Sequence, residues 1–96
     1  MVIGALKIEL YIDGNRSLKG KRQTLRSVIQ RVRSRFVNVS ISEVGSQDLW
    51  QKAIIGISFV SNEAPYVNSI LDQVSGFIES IGTVQIVNRD MEIIHF

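Results

Sequence analysis

The hydrophobic period of this chain switches between two values along its length, and the order of the switches leaves few folds open. From Val2 to Ile12 the apolar residues Val2, Leu6, Ile8, Leu10 and Ile12 alternate with Lys7, Glu9 and Tyr11, the period-two pattern of a half-buried strand, and Asp13-Gly14 ends it in a turn. Ser17 is placed to cap a helix over residues 18–36, because Leu18, Leu25, Val28, Ile29, Val32 and Phe36 fall on one face at 100° per residue. Val37, Val39 and Ile41 then alternate with Asn38, Ser40 and Ser42 as a second strand. Ala53, Ile55, Ile57 and Phe59 mark a third, after a loop around Gly45 to Trp50. Asn62 is the expected cap of a second helix with Pro65 in its first turn, an apolar stripe from Val67 to Ile81, and Gly82 as its stop. Residues 83–95 read as a final strand.

The order β-α-β-β-α-β with right-handed crossovers predicts an α+β chain of the ferredoxin-like type, a four-stranded antiparallel sheet with two helices on one face. Residues 1–96 make one domain, which buries roughly 60 to 65 per cent of the surface its unfolded chain exposes and leaves little room for an internal cofactor. No cofactor is expected. With no cysteine there is neither a disulfide nor a thiolate metal site. No apolar run approaches a membrane span and no charged leader precedes an apolar core, so a soluble cytoplasmic protein is expected. The sheet face without helices would carry Ile3, Ala5, Lys7, Glu9 and Tyr11 from the first strand and Ile54, Gly56, Ser58 and Val60 from the third. So apolar a face points to a partner, and self-association into a homo-oligomer is its expected use.

Charge is distributed as unevenly as hydrophobicity is evenly. Arg16, Lys19, Lys21, Arg22, Arg26, Arg31, Arg33 and Arg35 crowd one segment that holds no acid, whereas the rest of the chain has three bases and all nine acids. The net charge of +2 is therefore the sum of +8 and −6. At 100° per residue Lys19, Arg22, Arg26 and Arg33 lie within about 60° of one another on one flank of the apolar stripe, with Arg31 and Arg35 on the other. That ridge is about 20 Å long and suits a row of phosphates. The alternative is a solvated face neutralised by Glu43, Asp48 or Asp13 folding back over it.

Lys21 stands apart, because its angle falls inside the apolar arc of Leu18, Val28 and Phe36. Either it meets a carboxylate, Glu43 or Asp48, and pins the helix start to the loop before the third strand, or it joins Arg16, Ser17 and Lys19 in a phosphate clamp at the positive end of the helix dipole. The Asp13-Gly14-Asn15 turn is not a Walker loop.

Other candidates carry less. Trp50 is expected in the core or at an interface rather than stacking a base. The third strand, Lys52 to Phe59, lacks the paired aromatics with which RNA-recognition motifs of the same topology stack bases, so RNA binding would use the basic helix. Arg16 and Asn38 are the one pair resembling the arginine and asparagine of acylphosphatases, without the glycine-rich loop those enzymes place before the arginine. His95 has no ligand spacing around it and reads as a strand residue, and no metal site is expected.

The elements Ser17-Leu18-Lys19-Gly20-Lys21-Arg22, Val39-Ser40-Ile41-Ser42-Glu43-Val44 and Gln47-Asp48-Leu49-Trp50-Gln51 resemble the bacterial DUF503, or YlxP-like, family over essentially the full chain. The resemblance implies a ferredoxin-like fold, no established biochemical activity, and a genetic neighbourhood of translation and ribosome-maturation factors. It transfers no catalytic residue. Many relatives run straight from Phe to Asn-Val-Ser where this chain has Phe36-Val37-Asn38-Val39-Ser40, an insertion that would move a strand start or form a bulge.

The expected function is a non-catalytic module that binds ribosomal or other structured RNA through Arg16, Lys19, Lys21, Arg22, Arg26 and Arg33. The alternative is a protein-interaction module whose contacts are Tyr11, Trp50 and Ile54, and a remoter one is an acylphosphatase-like hydrolase.

Overall fold

In the computed structural model, which describes all 96 residues, the buried positions of the first strand, β1 (Val2–Tyr11), are Val2, Gly4, Leu6, Ile8 and Leu10. The helix α1 (Leu18–Arg35) follows, then β2 (Ser40–Gly45), β3 (Lys52–Ser61), α2 (Ala64–Ile81) and β4 (Gln85–His95). The strands lie in the order β2-β3-β1-β4, and every neighbouring pair is antiparallel. α1 therefore carries the chain past the slot that β3 fills, and α2 carries it past β1. This is the ferredoxin-like arrangement.

Eighteen apolar side chains form one core cluster between the helices and the sheet. Val28 and Val32 of α1 and Val67, Leu71, Val74 and Ile78 of α2 are wholly buried against Ile8, Leu10 and Ile55. Each such side chain contributes about 1.5 to 3 kcal/mol of transfer free energy. Gly4 sets how closely α2 can approach: a Cβ there would stand 2.6 Å from Leu71 Cδ1 and nearer still to Val67 Cγ1.

Three boundaries differ from expectation. The second strand begins at Ser40, not Val37, since Phe36 closes the helix through its N–H to Val32 O and the Val39 N–H bonds back to Phe36 O across a turn. Val37 thus sits at the turn with 81% of its surface exposed, while the strand runs on to Gly45 with a bulge at Val44 opposite Ile54 and Ile55. The bulge lies at Val44, away from the Phe36-to-Ser40 segment where one was expected. At the second helix the N-cap is Glu63, which makes no side-chain cap bond, and Asn62 instead accepts from Ser61 Oγ at 3.4 Å. Gly82, with φ +84°, is the left-handed stop.

The open face has the composition expected of it, and several of its exposed apolar residues meet at one end. Val60, Ile3 and Ile94 stand side by side across β3, β1 and β4, and strand alternation continues this corner to Met1 and Phe96. The middle of the face is a shallow depression of about 480 Å³ in which Ser40, Ser42, Ser58, Asp90 and Glu92 are mixed with Ala5, Val44 and Gly56. No helix is long and apolar enough to cross a membrane.

Candidate nucleic-acid interface

The first turn of α1 shows what each residue of the Ser17-to-Arg22 element does. Ser17 is extended, and its Oγ accepts the Gly20 N–H at 3.0 Å, the capping bond that starts the helix. Leu18 is half-buried, and Lys19 points to solvent. Lys21 goes inward and is 1% exposed; its ammonium lies 3.1 Å from Glu43 Oε2 and donates to the Ser46 carbonyl. Ser46 holds the left-handed conformation, φ +58°, that aims this carbonyl, and the same oxygen also accepts the Leu49 N–H at 3.2 Å.

This geometry removes Lys21 from the anion-binding set. An ammonium without solvent exposure, hydrogen-bonded to a carbonyl and ion-paired with a carboxylate, is out of reach of a phosphate at the surface. The four-residue clamp at the helix start fails with it, because Ser17 Oγ is committed to the cap. The structural alternative, an ion pair between Lys21 and Glu43, is the one observed.

The remaining cations sort by flank as their helical angles require. Lys19, Arg22, Arg26 and Arg33 are all exposed along the side of α1 that overhangs β2. Arg33 Nη2 reaches the Ile41 carbonyl at 3.2 Å, which satisfies one acceptor of this edge strand. A groove of about 450 Å³ runs between helix and strand, with Arg22, Arg26 and Arg33 on its wall and Ile41 and Glu43 below. On the opposite flank Arg31 and Arg35 lie over the Phe77 ring at 6.0 and 5.2 Å. Glu43 is the only acid that pairs with any of the eight bases, and it takes Lys21; Asp13 and Asp48 take none. The helix therefore keeps six cations with no carboxylate within 4 Å, and Arg16 just before it is a seventh. Acids folding back over the ridge do not neutralise it.

Arg16 precedes α1, and a hollow beside it brings together Tyr11, Asn15, Asp48, Trp50 and Lys52. Trp50 is 55% exposed, so it is not a core residue. Sequence periodicity could not place it, since it belongs to a loop whose path is fixed by distant partners: Asn15 Nδ2 donates to the Trp50 carbonyl, and the Ile12 N–H donates to Gln51 O at 2.7 Å. Ile54 is half-buried further along the open face, between Glu9 and Gly45, and does not join this hollow. Arg16 and Asn38 lie at opposite ends of α1, 18 residues and thus about 27 Å of helix apart, too far to share a substrate. His95 is the last residue of β4, opposite Val2, and no group of three or more His, Cys, Asp or Glu comes together in the structure.

Residues 3–91 match the family described as "Protein of unknown function (DUF503)". The chain belongs to the DUF503 family. A relative, the uncharacterized protein YlxP of Bacillus subtilis (strain 168), is 39% identical over 84 residues, which covers 88% of this chain and 90% of that one. Two solved structures resemble the DUF503 chain in shape. A de novo designed protein with ferredoxin fold, LFR1 1, superposes with a TM-score of 0.56 at 14% identity, over 96% of this chain and 86% of its own. The de novo designed protein Foldit4 does so with a TM-score of 0.53 at 7% identity, over 99% and 97%. At such identities the likeness concerns the fold alone, and the DUF503 site must be argued from its own residues.

Proposed function

We propose that this DUF503 protein is a cytoplasmic, non-catalytic module that binds ribosomal or other structured RNA along the ridge of Lys19, Arg22, Arg26 and Arg33, with Arg16 at its head. One observation carries the reading: four exposed cations follow one helix flank for about 20 Å, and no carboxylate pairs with them. A polyanion with regularly spaced charges satisfies such a row, and arginine forks suit phosphate oxygens. Binding of total ribosomal RNA by the wild type and by Arg22→Glu/Arg26→Glu tests it. Loss of binding in a folded double variant supports the reading, and undiminished binding refutes it.

A second reading concerns the open face. The exposed corner of Val60 and Ile94 beside Ile3 favours a second copy of the chain at that end of the sheet. This face looks away from α1, so an oligomer formed there would leave the arginine ridges free.

A further inference from the structure

We infer that the hollow of Tyr11, Arg16, Asp48 and Trp50 takes one unpaired nucleobase, with a preference for bases that carry an exocyclic amino group. This rests on the RNA reading above and adds to it a single-stranded subsite at the head of the ridge.

The first support is how Trp50 is held. A large exposed aromatic at a loop tip ordinarily moves to cover itself, but this backbone is pinned from both sides. Asn15 Nδ2 donates to the Trp50 carbonyl and to the Ser17 carbonyl, the latter at 2.9 Å, and the next carbonyl, of Gln51, accepts from Ile12. Gly20 makes room for that amide: a Cβ at residue 20 would stand 3.2 Å from Ser17 Oγ and closer to Asn15 Oδ1. The loop is tied on its other side by Leu49 N–H and buried Lys21, both on the Ser46 carbonyl. The backbone that carries the indole is thus held in place, so less conformational freedom of the loop is lost when a ligand stacks on the ring.

The second support is the composition of the hollow. Its two rings do not serve one another, since the chain's aromatic pairs are Phe36 with Phe77 and Phe59 with Tyr66. Its volume, about 700 Å³, falls within the 300 to 1,000 Å³ usual for small-ligand sites and exceeds what one base needs. Arg16 has no acid partner and lines the hollow itself, three residues before Lys19 in the chain, so it can take a phosphate next to the stacked base. Aromatic stacking next to a cationic track is the usual means of holding single-stranded nucleic acid.

The third support is Asp48. A carboxylate would repel a phosphate from this hollow, but as an acceptor it pairs with the amino group of a base edge. Cytosine offers that donor at the position where uracil offers an acceptor, so the carboxylate separates two bases of nearly equal shape.

Because the chain has one tryptophan, its fluorescence reports on this site alone. Single-stranded rC6 and rU6 are titrated at about 50 mM salt into the wild type, Trp50→Ala, Asp48→Asn and Arg22→Glu/Arg26→Glu, with affinity measured from labelled RNA and stacking from Trp50 quenching in every chain that keeps the tryptophan. The expected result is saturable quenching by rC6, tighter binding of rC6 than rU6, a loss of about 5- to 150-fold in Trp50→Ala, and no C-over-U preference in Asp48→Asn. RNA binding that leaves Trp50 unquenched and is indifferent to Trp50→Ala overturns the subsite while the ridge reading stands. Loss of preference with retained quenching supports the role of Asp48, whereas a preference unchanged in Asp48→Asn refutes it. No binding of either hexamer or of ribosomal RNA by the wild type overturns both readings.

Discussion

The Lys21 ammonium lies 3.1 Å from Glu43 Oε2, which joins the first turn of a helix otherwise free of acid contacts to the end of the edge strand. The pair is asymmetric: Lys21 is wholly buried and Glu43 about a quarter exposed, with Lys21 making its hydrogen bond to Ser46 O, while Glu43 Oε2 accepts none. Of the eight bases, Lys21 alone is paired with a carboxylate.

Breaking this pair from the lysine side should cost more than losing a surface bridge. Lys21→Met keeps the stem's packing but strands a carboxylate at the rim of the core, and a loss of about 3 kcal/mol is expected, toward the lower end of values for broken buried pairs because Glu43 still reaches water. Adding Glu43→Gln should restore part of it. Urea denaturation of the two single variants and the double measures the coupling. At temperatures where Lys21→Met is folded, its RNA affinity should stay within about twofold of wild type, whereas Lys19→Ala, at an exposed ridge position, should weaken binding several-fold at low salt.

Two helix-interior glycines should respond oppositely to alanine. Gly76 of α2 has open space where a Cβ would go, so Gly76→Ala is expected to stabilise by about 1 kcal/mol. Gly20→Ala should fail to gain this and lose about 1 kcal/mol instead, because the new methyl meets the Asn15 amide, which is held by two carbonyls. Thermal melts of both variants give the comparison, and stabilisation by Gly20→Ala would show that Asn15 is not a fixed clamp.

A charge-matched control separates the two flanks of α1. Arg31→Glu/Arg35→Glu makes the same change in net charge as Arg22→Glu/Arg26→Glu but on the side that faces Phe77. The ridge variant should lose about 100-fold in RNA affinity at low salt, and the Phe77-side variant much less, on the order of a few-fold through the general field alone. Equal losses in filter binding would mean that net charge, rather than the ridge, holds the RNA.

If the apolar corner of the open face pairs two copies, a charge there should separate them. Val60→Glu is expected to give a monomer by sedimentation equilibrium with RNA affinity per chain unchanged, since Val60 is on the sheet face opposite the helices. A wild type that is itself monomeric at high concentration would remove this reading.

The six elements and the inward place of Lys21 were legible in the sequence for one reason: both follow from a residue's angle or parity within a single regular element. Leu25, Val28 and Val32 are buried where 100° spacing places them, and Lys21 falls among them. The same rule sorted the arginines into a β2 flank and a Phe77 flank. What stayed hidden depends on contacts between elements. The exposed Trp50 belongs to a loop whose carbonyl is held by Asn15, 35 residues away, and Ser46 turns left-handed beside a lysine 25 residues earlier. Val37 alternates with Val39 and Ile41 in sequence, yet the turn that carries the chain from helix to sheet claims it. Gly20 reads as a weak spot in a helix until the Asn15 amide is seen to occupy its side.

The most direct measurement of the central claim is the salt dependence of RNA affinity in the wild type and in Arg26→Gln. With about four phosphate contacts, log K should fall with log salt at a slope of roughly −3, which weakens binding about 50- to 150-fold between 50 and 200 mM, and removing one arginine should reduce the slope by about 0.7 to 0.9. A slope near zero, or one unchanged in Arg26→Gln, would contradict the account and leave the arginine ridge without a role in binding RNA.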